Sequence, residues 1–342
     1  MIVLCHADLV PPARLAGLSW READPVRTEW DVTTALRRRG HAVQVVGVRD
    51  DLEPLRRAAA AFRPHAVFNL VMEIQDVGWY QVHVAAALEL QGIPFTGADA
   101  RAIVLTRDKA LAKKILLHHG IPTPDFAVFP RRGGGESYAP LRFPLIVKST
   151  DEEASLGISQ ASLVRSPAAL RARVALVHRR LRTDAIAEEY VLGRELTAPV
   201  LGNARPQALP LRELFLDGLP AGSARIATAR AKFDDAYRLR HGIRSGPARG
   251  LGPEIHARIA RLARRVHRIL GLAGAARLDL RMDARGRVWV IEVNATPDVG
   301  RREDLAASAR RAGIAYPQLL ERMLALAIAR RRCDPRSAPA GR

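Results

Sequence analysis

The segment from Arg277 to Pro297 constrains this chain most, because it combines the pattern of a β-hairpin with side chains that bind metals. Its letters, RLDLRMDARGRVWVIEVNATP, alternate polar and apolar residues on both sides of an Asp283–Gly286 turn. Alternate side chains of a strand point to opposite faces. We therefore expect Asp279 to share a face with Arg277 and Arg281.

The second strand of this hairpin carries its own polar face. That face is predicted to hold Val290, Glu292 and Asn294. If Met282 opposes Arg287 across the turn, Asp279 lies opposite Val290 and diagonal to Glu292. The hairpin would then bring two carboxylates and one amide oxygen to a single surface.

Asp279, Glu292 and Asn294 are therefore candidate ligands of a metal ion. Carboxylate and amide oxygens suit Mg²⁺, with Mn²⁺ as an alternative, and Mg²⁺ commonly takes further ligands from substrate phosphates. The competing interpretation is an ordinary hairpin with solvated charges, since charged side chains are mostly exposed. The Glu-x-Asn-x-x-Pro continuation favours a site, because a polar loop follows the strand directly.

Composition is typical of a globular cytoplasmic protein. The 342 residues suffice for two or three lobes with real cores, and 48% of them are hydrophobic. No apolar run approaches the roughly 18 residues of a membrane span. The short apolar N-terminus is interpreted as a buried strand and not as a signal peptide. Cys5 and Cys333 lie at opposite ends of the chain, which fits a reducing compartment.

The formal net charge of +19 raises the alternative of nucleic-acid binding. The excess is nearly all arginine, however, and is spread through predicted helices without a helix-turn-helix, zinc-finger or aromatic RNA-binding pattern. The five lysines are Lys109, Lys113, Lys114, Lys148 and Lys232. We expect small anionic ligands rather than nucleic acid to be the partners of this charge.

The order of predicted elements divides the chain. Strands alternate with helices over residues 1–105, which indicates an α/β lobe with a doubly wound parallel sheet. Thr106 is expected to cap a helix over 108–119. Strands over 145–148 and 185–190, a helix over 253–270 and the hairpin follow, and the span 217–252 is expected to be irregular.

The Arg-x-Asp and Glu-x-Asn-x-x-Pro pattern resembles the metal-binding hairpin of the ATP-grasp superfamily, in particular its D-alanine–D-alanine ligase branch. The resemblance covers about residues 100–300 and implies an ATP-grasp fold of mixed α/β and α+β class. It implies an N-terminal doubly wound lobe over 1–105, a small central ATP-lid lobe over 106–190 and an antiparallel C-terminal lobe over 191–330. Residues 331–342 are expected to form a disordered tail.

The resemblance also implies residues that bind ATP. Lys109, Lys148 and Lys232 match the phosphate-binding lysines of the family, and Ser155 and Gly157 match its flexible lid. The segment Glu188, Glu189, Tyr190 and Val191 resembles the adenine hinge, and Glu195 matches a ribose acceptor. Three of five lysines coincide with family lysines in a chain that otherwise uses arginine, which favours this interpretation.

The implied activity joins a carboxylate to an amine through an acyl-phosphate, as in D-alanine–D-alanine ligases. Arg277 would stabilise charge on the tetrahedral intermediate, although a salt bridge with Asp279 or Glu292 is its alternative role. Ser155 would act from the lid, and Glu29 is placed like the glutamate that holds the donor amino group. The partners would be amino acids or amines, and the branch implies a homodimer.

Three departures from the branch concern the substrates. Ala154 and Phe233 stand where the family links a serine and a tyrosine to its glutamate, and Asp298 replaces a glycine. Glu303 and Asp304 stand where a serine–leucine pair meets the acceptor carboxylate. An acidic pair repels a carboxylate, so an acceptor without one is plausible, although acidic residues also favour helix N-termini. Synthesis of another dipeptide or amide, and ATP binding without catalysis, remain alternatives.

Overall fold

The computed structural model describes residues 1–132, 141–152 and 156–333. The predicted lid residue Ser155 and its neighbour Ala154 therefore lie outside the described residues, as does the tail from residue 334. Within the described part, no helix has both the length and the apolar character needed to cross a bilayer.

The N-terminal lobe is built on a parallel sheet of three strands. Its strands are β1 (Ile2–His6), β2 (Gln44–Val48) and β3 (Val67–Asn69), in the order β2-β1-β3. Its helices are α1 (Trp20–Ala23), α2 (Arg27–Arg38), α3 (Glu53–Phe62), α4 (Gln81–Leu90), α5 (Ala100–Arg107) and α6 (Lys109–His118). Short 3-10 turns lie at Ala7–Leu9 and Gly78–Tyr80.

Helices cover both faces of this sheet, as predicted. Ile2 and Leu4 pack with Leu55 of α3 and Leu88 of α4 on one face. Val3, between them in sequence, points to the other face and packs with α2 and the C-terminal helix. Since both faces are covered, the strand is apolar along its whole length, which is the pattern of a buried parallel strand.

A second, antiparallel sheet forms the central lobe. It contains β4 (Phe126–Phe129), β5 (Leu145–Ser149), β6 (Leu163–Val164) and β7 (Ala185–Glu189), in the order β4-β7-β5-β6. Helix α7 (Pro167–Arg180) packs on it, and a 3-10 turn lies at Gln160–Ser162. This lobe has a separate small core in which Leu145 and Val147 meet Val174 and Val177.

The third sheet carries the hairpin. Its strands are β8 (Arg194–Leu201), β9 (Gln207–Ala208), β10 (Arg212–Phe215), β11 (Arg244–Pro247), β12 (Ala275–Met282) and β13 (Val288–Asn294). The order is β11-β10-β8-β12-β13, with β9 beside β8. Helices α8 (Ala229–Phe233), α9 (Asp235–Arg240), α10 (Pro253–Ile269), α11 (Asp304–Arg311) and α12 (Tyr316–Cys333) complete the lobe. The span 217–252, expected to be irregular, thus contains two short helices and β11.

The N-terminal and C-terminal lobes share their cores. Leu4 of the first sheet belongs to the same apolar cluster as Leu278 and Leu280 of β12. On the other side, Leu319 and Leu320 of α12 pack with Val3. These two lobes therefore form one body, whereas the central lobe adds its own core. The exact domain boundaries stay a prediction.

The hairpin exists, but its predicted register was wrong. Met282 pairs with Val288, and Asp279 lies directly opposite Glu292 instead of Val290. The turn is one residue longer than expected, which moves the partner of Met282 from Arg287 to Val288. A β-bulge between Asp279 and Leu280 then inserts one extra residue on β13, which brings Asp279 opposite Glu292. Val290 consequently faces the core and is buried, so it does not share the face of Glu292.

Two helix boundaries also differ from prediction. Asp108, not Thr106, caps α6, since its carboxylate accepts the Leu111 N–H at 2.9 Å. Thr106 lies inside α5 and donates to the Ala102 carbonyl at 2.8 Å. At the C-terminus, α12 continues to Cys333 where a tail from 331 was expected, and Arg330 near its end donates to the Gly97 and Phe95 carbonyls.

His267 in α10 generates a prediction about stability. Its side chain is fully buried and neither ring nitrogen has a hydrogen-bond partner, so burial, with a smaller contribution from Arg268, lowers its pKa from 6.5 to about 4. The unfolded chain therefore binds a proton that the folded chain does not between these values, and stability falls as the pH drops through 6.5.

Between pH 7 and pH 5, wild-type protein should lose about 2 kcal/mol more unfolding free energy than the His267→Leu variant, which has no imidazole. Urea denaturation of both proteins at the two pH values measures this difference. Equal losses would show that His267 does not control acid sensitivity.

Candidate active site

Asp279 and Glu292 face each other across the hairpin, and both side chains are partly buried. Two opposed carboxylates repel each other unless cations or a metal offset their charge. Asn294 follows two residues after Glu292, and its Oδ1 accepts the Thr296 N–H at 2.9 Å. The three predicted oxygen ligands thus belong to two residue pairs of β12 and β13, Asp279–Glu292 and Arg277–Asn294, with the Leu278–Val293 pair between them.

Arg277 binds Asp279 through two hydrogen bonds, with Nε and Nη2 donating to the two carboxylate oxygens at 2.8 and 3.0 Å. The carboxylates of Asp279 and, more weakly, Glu292 and Asp304 raise the pKa of Arg277 despite its burial, so it stays charged. The salt bridge considered from sequence is therefore present. It leaves Arg277 in the site, between the hairpin and the residues at 303–304.

Four cations surround Glu292. Lys109 Nζ lies 3.3 Å from Glu292 Oε1. Burial by itself would raise the pKa of Glu292, but Lys109, Lys148, Lys232 and Arg277 lower it to about 2. Glu292 is therefore ionised at neutral pH. Four positive charges around two carboxylates give this region a positive excess, which suits a polyphosphate.

Lys109 also connects the hairpin to the lid. Its Nζ donates to the Glu152 carbonyl at 2.5 Å, just before the residues outside the described range. Lys232 lies on α8, partly exposed, and its side chain has no ion-pair partner within the described ranges. The two lysines therefore approach Glu292 from two different segments of the chain.

A buried ion triad lies behind the phosphate-binding lysines. Glu188 is almost fully buried, and its carboxylate lies 3.0 Å from Lys148 Nζ and 3.5 Å from Lys113 Nζ. Burial lowers the pKa of Lys113 to about 8, although Glu188 opposes the change. Glu188 therefore uses its side chain to hold two lysines. Lys113 was not among the candidate site residues, and its burial was not readable from the sequence.

The predicted adenine hinge, residues 188–191, has a backbone N–H group without a hydrogen-bond partner among the described residues. The Glu189 N–H bonds the Asp125 carbonyl and the Tyr190 N–H bonds the Pro144 carbonyl, at 2.9 and 3.0 Å. The Val191 N–H has no such partner in the described part of the chain. The Glu189 side chain points outward, where Arg142 binds it at 2.9 Å. Among the Glu189, Tyr190 and Val191 N–H groups, only that of Val191 is without a backbone partner in the described residues.

Arg281 ties the hinge to the third sheet. Its guanidinium donates to the Val191 carbonyl at 3.0 Å, to Glu195 at 2.8 Å and to the Tyr190 hydroxyl at 3.0 Å. Arg281 is only 5% exposed. The predicted ribose acceptor Glu195 thus carries a salt bridge. Sequence reasoning did not include Arg281 among the candidate site residues. Its predicted position on the same strand face as Asp279 could have indicated it.

Gly157, the second predicted lid residue, adopts a left-handed backbone with φ of 73°. The buried Arg173 of α7 donates to the Gly157 carbonyl and, at 2.6 Å, to the Ser162 hydroxyl. The C-terminal end of the lid loop is therefore anchored to α7. Sequence reasoning gave no indication of this role for Arg173.

Glu29, at the start of α2, is 4% exposed, and its Oε2 has no hydrogen-bond partner. Burial raises its pKa to about 7, and the nearby carboxylate of Asp298 adds to the increase. The Thr28 hydroxyl donates to Asp298 at 3.3 Å, so α2 meets the loop after the hairpin here. The structure thus brings Glu29 beside the loop that follows the hairpin.

Sequence comparison identifies relatives whose alignments cover up to 92% of this chain. Residues 115–325 match the family model described as D-ala D-ala ligase C-terminus. The chain is 30% identical over 319 residues to the D-alanine–D-alanine ligase of Desulforudis audaxviator, which covers 92% of this chain and 96% of that protein. It is 33% identical over 280 residues to an uncharacterized protein, y4sG, of Sinorhizobium fredii, covering 80% and 76% respectively.

Structural comparison gives the same fold. The D-alanine–D-alanine ligase of Bacillus anthracis, solved in complex with ATP, superposes with a TM-score of 0.73 over 97% of this chain and 98% of that one, at 19% identity. The matched model, the relatives and the three-sheet architecture agree. This chain belongs to the D-alanine–D-alanine ligase family of ATP-grasp enzymes, the ATP-dependent ligases that form carbon–nitrogen bonds.

Proposed function

We propose that this protein couples ATP cleavage to the joining of a carboxylate and an amine, with Mg²⁺ at the hairpin and an acyl-phosphate intermediate. The observation that carries the proposal is the pair of opposed carboxylates, Asp279 and Glu292, surrounded by Lys109, Lys148 and Lys232. Such an arrangement neutralises a triphosphate while keeping oxygen ligands available. The relatives named as D-alanine–D-alanine ligases support the reaction type.

The residues of the hairpin fit Mg²⁺ or Mn²⁺ by their chemistry. Glu292 is ionised, Asp279 retains oxygen lone pairs beside its bonds to Arg277, and Asn294 supplies an amide oxygen. Asp279, Glu292 and Asn294 would hold the metal, which would supply charge neutralisation for the phosphates. The set contains no thiolate or imidazole, which is consistent with a hard cation.

The nucleotide would lie between the central and C-terminal lobes. The open Val191 N–H would pair with the base edge and Glu195 would accept from the ribose. Lys109, Lys148 and Lys232 would contact phosphates. Glu188 would act through its side chain, which holds Lys148. This role adds to the one that the resemblance implies for the backbone of the adenine hinge. Because Lys148 is already charged and fixed, little reorganisation accompanies binding.

The reaction would proceed by attack of a substrate carboxylate oxygen on the γ-phosphorus, with ADP leaving. The amine would then attack the acyl carbon, forming the C–N bond as phosphate leaves. Arg277 would stabilise the oxyanion of that second step, since it is held and charged by Asp279. Ser155 and Gly157 would close over the phosphates and exclude water.

Glu29 would hold the ammonium group of the carboxylate-bearing substrate. Its buried, unpartnered oxygen is a hydrogen-bond acceptor, and a bound ammonium would favour its ionised form. The Phe233 side chain, which stands at the position of a family tyrosine, is 67% exposed at the end of α8. Its ring offers no hydroxyl for a link to Glu29.

Replacing Glu292 by Gln should reduce ADP formation by about two to three orders of magnitude, because it removes one charged metal ligand while keeping the side chain's size. The measurement is phosphate release with Mg-ATP across both enantiomers of amino acids and a set of amines. Glu254→Gln, an exposed glutamate in the first turn of α10, is the matched control. Undiminished release by the Glu292 variant would contradict the proposal.

Replacing Lys232 by Met should raise the KM for ATP by about tenfold or more, because one charge-assisted phosphate contact is lost. The thermal midpoint should stay unchanged, since the Lys232 side chain has no described ion-pair partner. Lys114→Met removes an exposed lysine of α6 and serves as the control. If both variants shift the KM equally, Lys232 acts only through the overall charge of the protein.

A further inference from the structure

A cavity of about 550 Å³ lies at the edge of the N-terminal parallel sheet. Its walls are α2, the edge strand β2, the end of α3 and the loop that follows β1. We call it the edge cavity. Small-molecule sites typically have volumes of about 300–1,000 Å³, so this cavity has the size of a ligand site. None of the residues that line it belongs to the candidate active site described above.

One face of α2 forms a wall of the edge cavity. Four residues with the spacing of a single helix face line it: Trp30, Thr33, Thr34 and Arg37. A different face of α2 packs into the core, where Val32 and Leu36 are buried. The row of side chains along the cavity is therefore not the row that holds this helix in the fold.

Thr33 is the buried polar residue of this wall. It is 3% exposed, and its Oγ1 has no hydrogen-bond partner in the described part of the chain. A threonine within a helix commonly bonds a carbonyl of the preceding turn, as Thr106 does with Ala102 at 2.8 Å. A buried hydroxyl without a partner is costly, so a ligand that supplied the missing hydrogen bond would gain affinity from it.

The free edge of β2 contributes to the opposite wall. The Gln44 N–H bonds the Met1 carbonyl towards β1, so the backbone groups of the next residue, Val45, point away from β1. The turn after β1 bounds this wall, because a Cβ on Gly47 would lie only 2.9 Å from Ala7 Cα. Residues 43–45 are the part of this strand that lines the cavity. This stretch is shorter than a typical strand, which favours a small molecule over an added peptide strand.

Arg37 is the one charged residue among the described residues that line the edge cavity. Its Nη2 donates to the Val43 carbonyl at 3.4 Å, and it has no ion-pair partner within the described ranges. Much of the remaining wall is apolar and includes the rings of Trp30 and Phe62. The cavity therefore offers one uncompensated positive charge beside flat apolar surfaces, which match a flat apolar molecule with one negative charge.

We propose that the edge cavity binds an aromatic or heteroaromatic carboxylate of about two fused rings, as a ligand separate from the substrates of the ligase reaction. Thr33 and Arg37 are one helical turn apart, so the hydroxyl and the guanidinium would bind the same carboxylate. The rings would lie against Trp30 and Phe62. Trp30 and Arg37 are separated by about 10 Å along α2, which suits a molecule of two rings ending in a carboxylate. This binding does not depend on the proposed reaction.

Three probes of similar shape and different charge test the proposal. Calorimetry with the full chain compares 2-naphthoate, the neutral 2-naphthamide and the cationic 2-naphthylmethylammonium. We expect one naphthoate per chain, bound about tenfold or more tightly than the amide, because the charge-assisted contact with Arg37 is lost in the amide. The ammonium probe should bind most weakly. Equal affinities for the three probes, or no binding of naphthoate, would overturn the inference.

Two further measurements locate the bound probe. A saturating non-hydrolysable ATP analogue with Mg²⁺ should leave the affinity for naphthoate within twofold, because the edge cavity shares no residue with the ATP-binding set. In nuclear magnetic resonance spectra, the indole N–H signal of Trp30, assigned with Trp30→Phe, should shift, whereas that of Trp289 on β13 should not. Displacement by the analogue, or a shift confined to Trp289, would refute a site at the edge cavity.

Variants of α2 identify the residues responsible. Arg37→Gln should reduce the preference for naphthoate over naphthamide to within twofold. Thr33→Val, which keeps the shape of the side chain, should weaken naphthoate binding by about fivefold, whereas Thr33→Ser keeps the hydroxyl and should bind like wild type. Arg38→Gln removes an exposed arginine of the same helix and is the matched control, with wild-type binding expected. An Arg37→Gln protein with a normal thermal midpoint and the full preference would contradict the proposal.

Discussion

The close pairing of Asp279 with Glu292 is the interaction on which the rest of the site depends. Two carboxylates on facing rungs of a hairpin repel each other, and the fold offsets this by bringing cations from several segments to them. Arg277 comes from the same strand, Lys109 from α6 and Lys148 from β5. The positive charges near this pair outnumber its two carboxylates, and we infer that the excess positive charge binds a triphosphate.

The apolar cores are divided unevenly among the three lobes. The N-terminal and C-terminal lobes share two apolar clusters, so the hairpin and Glu29 keep a fixed relation. The central lobe has its own core around Leu145 and Val147. Its contacts with the rest include polar links, such as Lys109 with the Glu152 carbonyl and Arg281 with the Val191 carbonyl. Polar contacts of this kind contribute less than a shared apolar core, so the central lobe is held less firmly than the other two lobes hold each other.

The resemblance to the family is uneven along the hairpin and the segment that follows it. The hairpin and lysines match the ATP-handling half of the family, whereas Asp298 and Glu303 lie where this chain departs from it. We therefore expect the reaction type and the choice of substrate to depend on different residues of this chain.

Much of the fold was readable from local pattern: the apolar β1 strand, the capped amphipathic helices and the hairpin with its polar face all follow from residue spacing. The sequence by itself also selected the candidate oxygen ligands and lysines, since both are residue types with narrow chemical uses. Tertiary structure alone decided the register, because the turn and the bulge each shift the strand pairing by one residue and together set Asp279 opposite Glu292. It alone decided that Lys113 and Arg281 are buried partners of Glu188 and Glu195, because ion pairs between distant segments form only when packing brings them together.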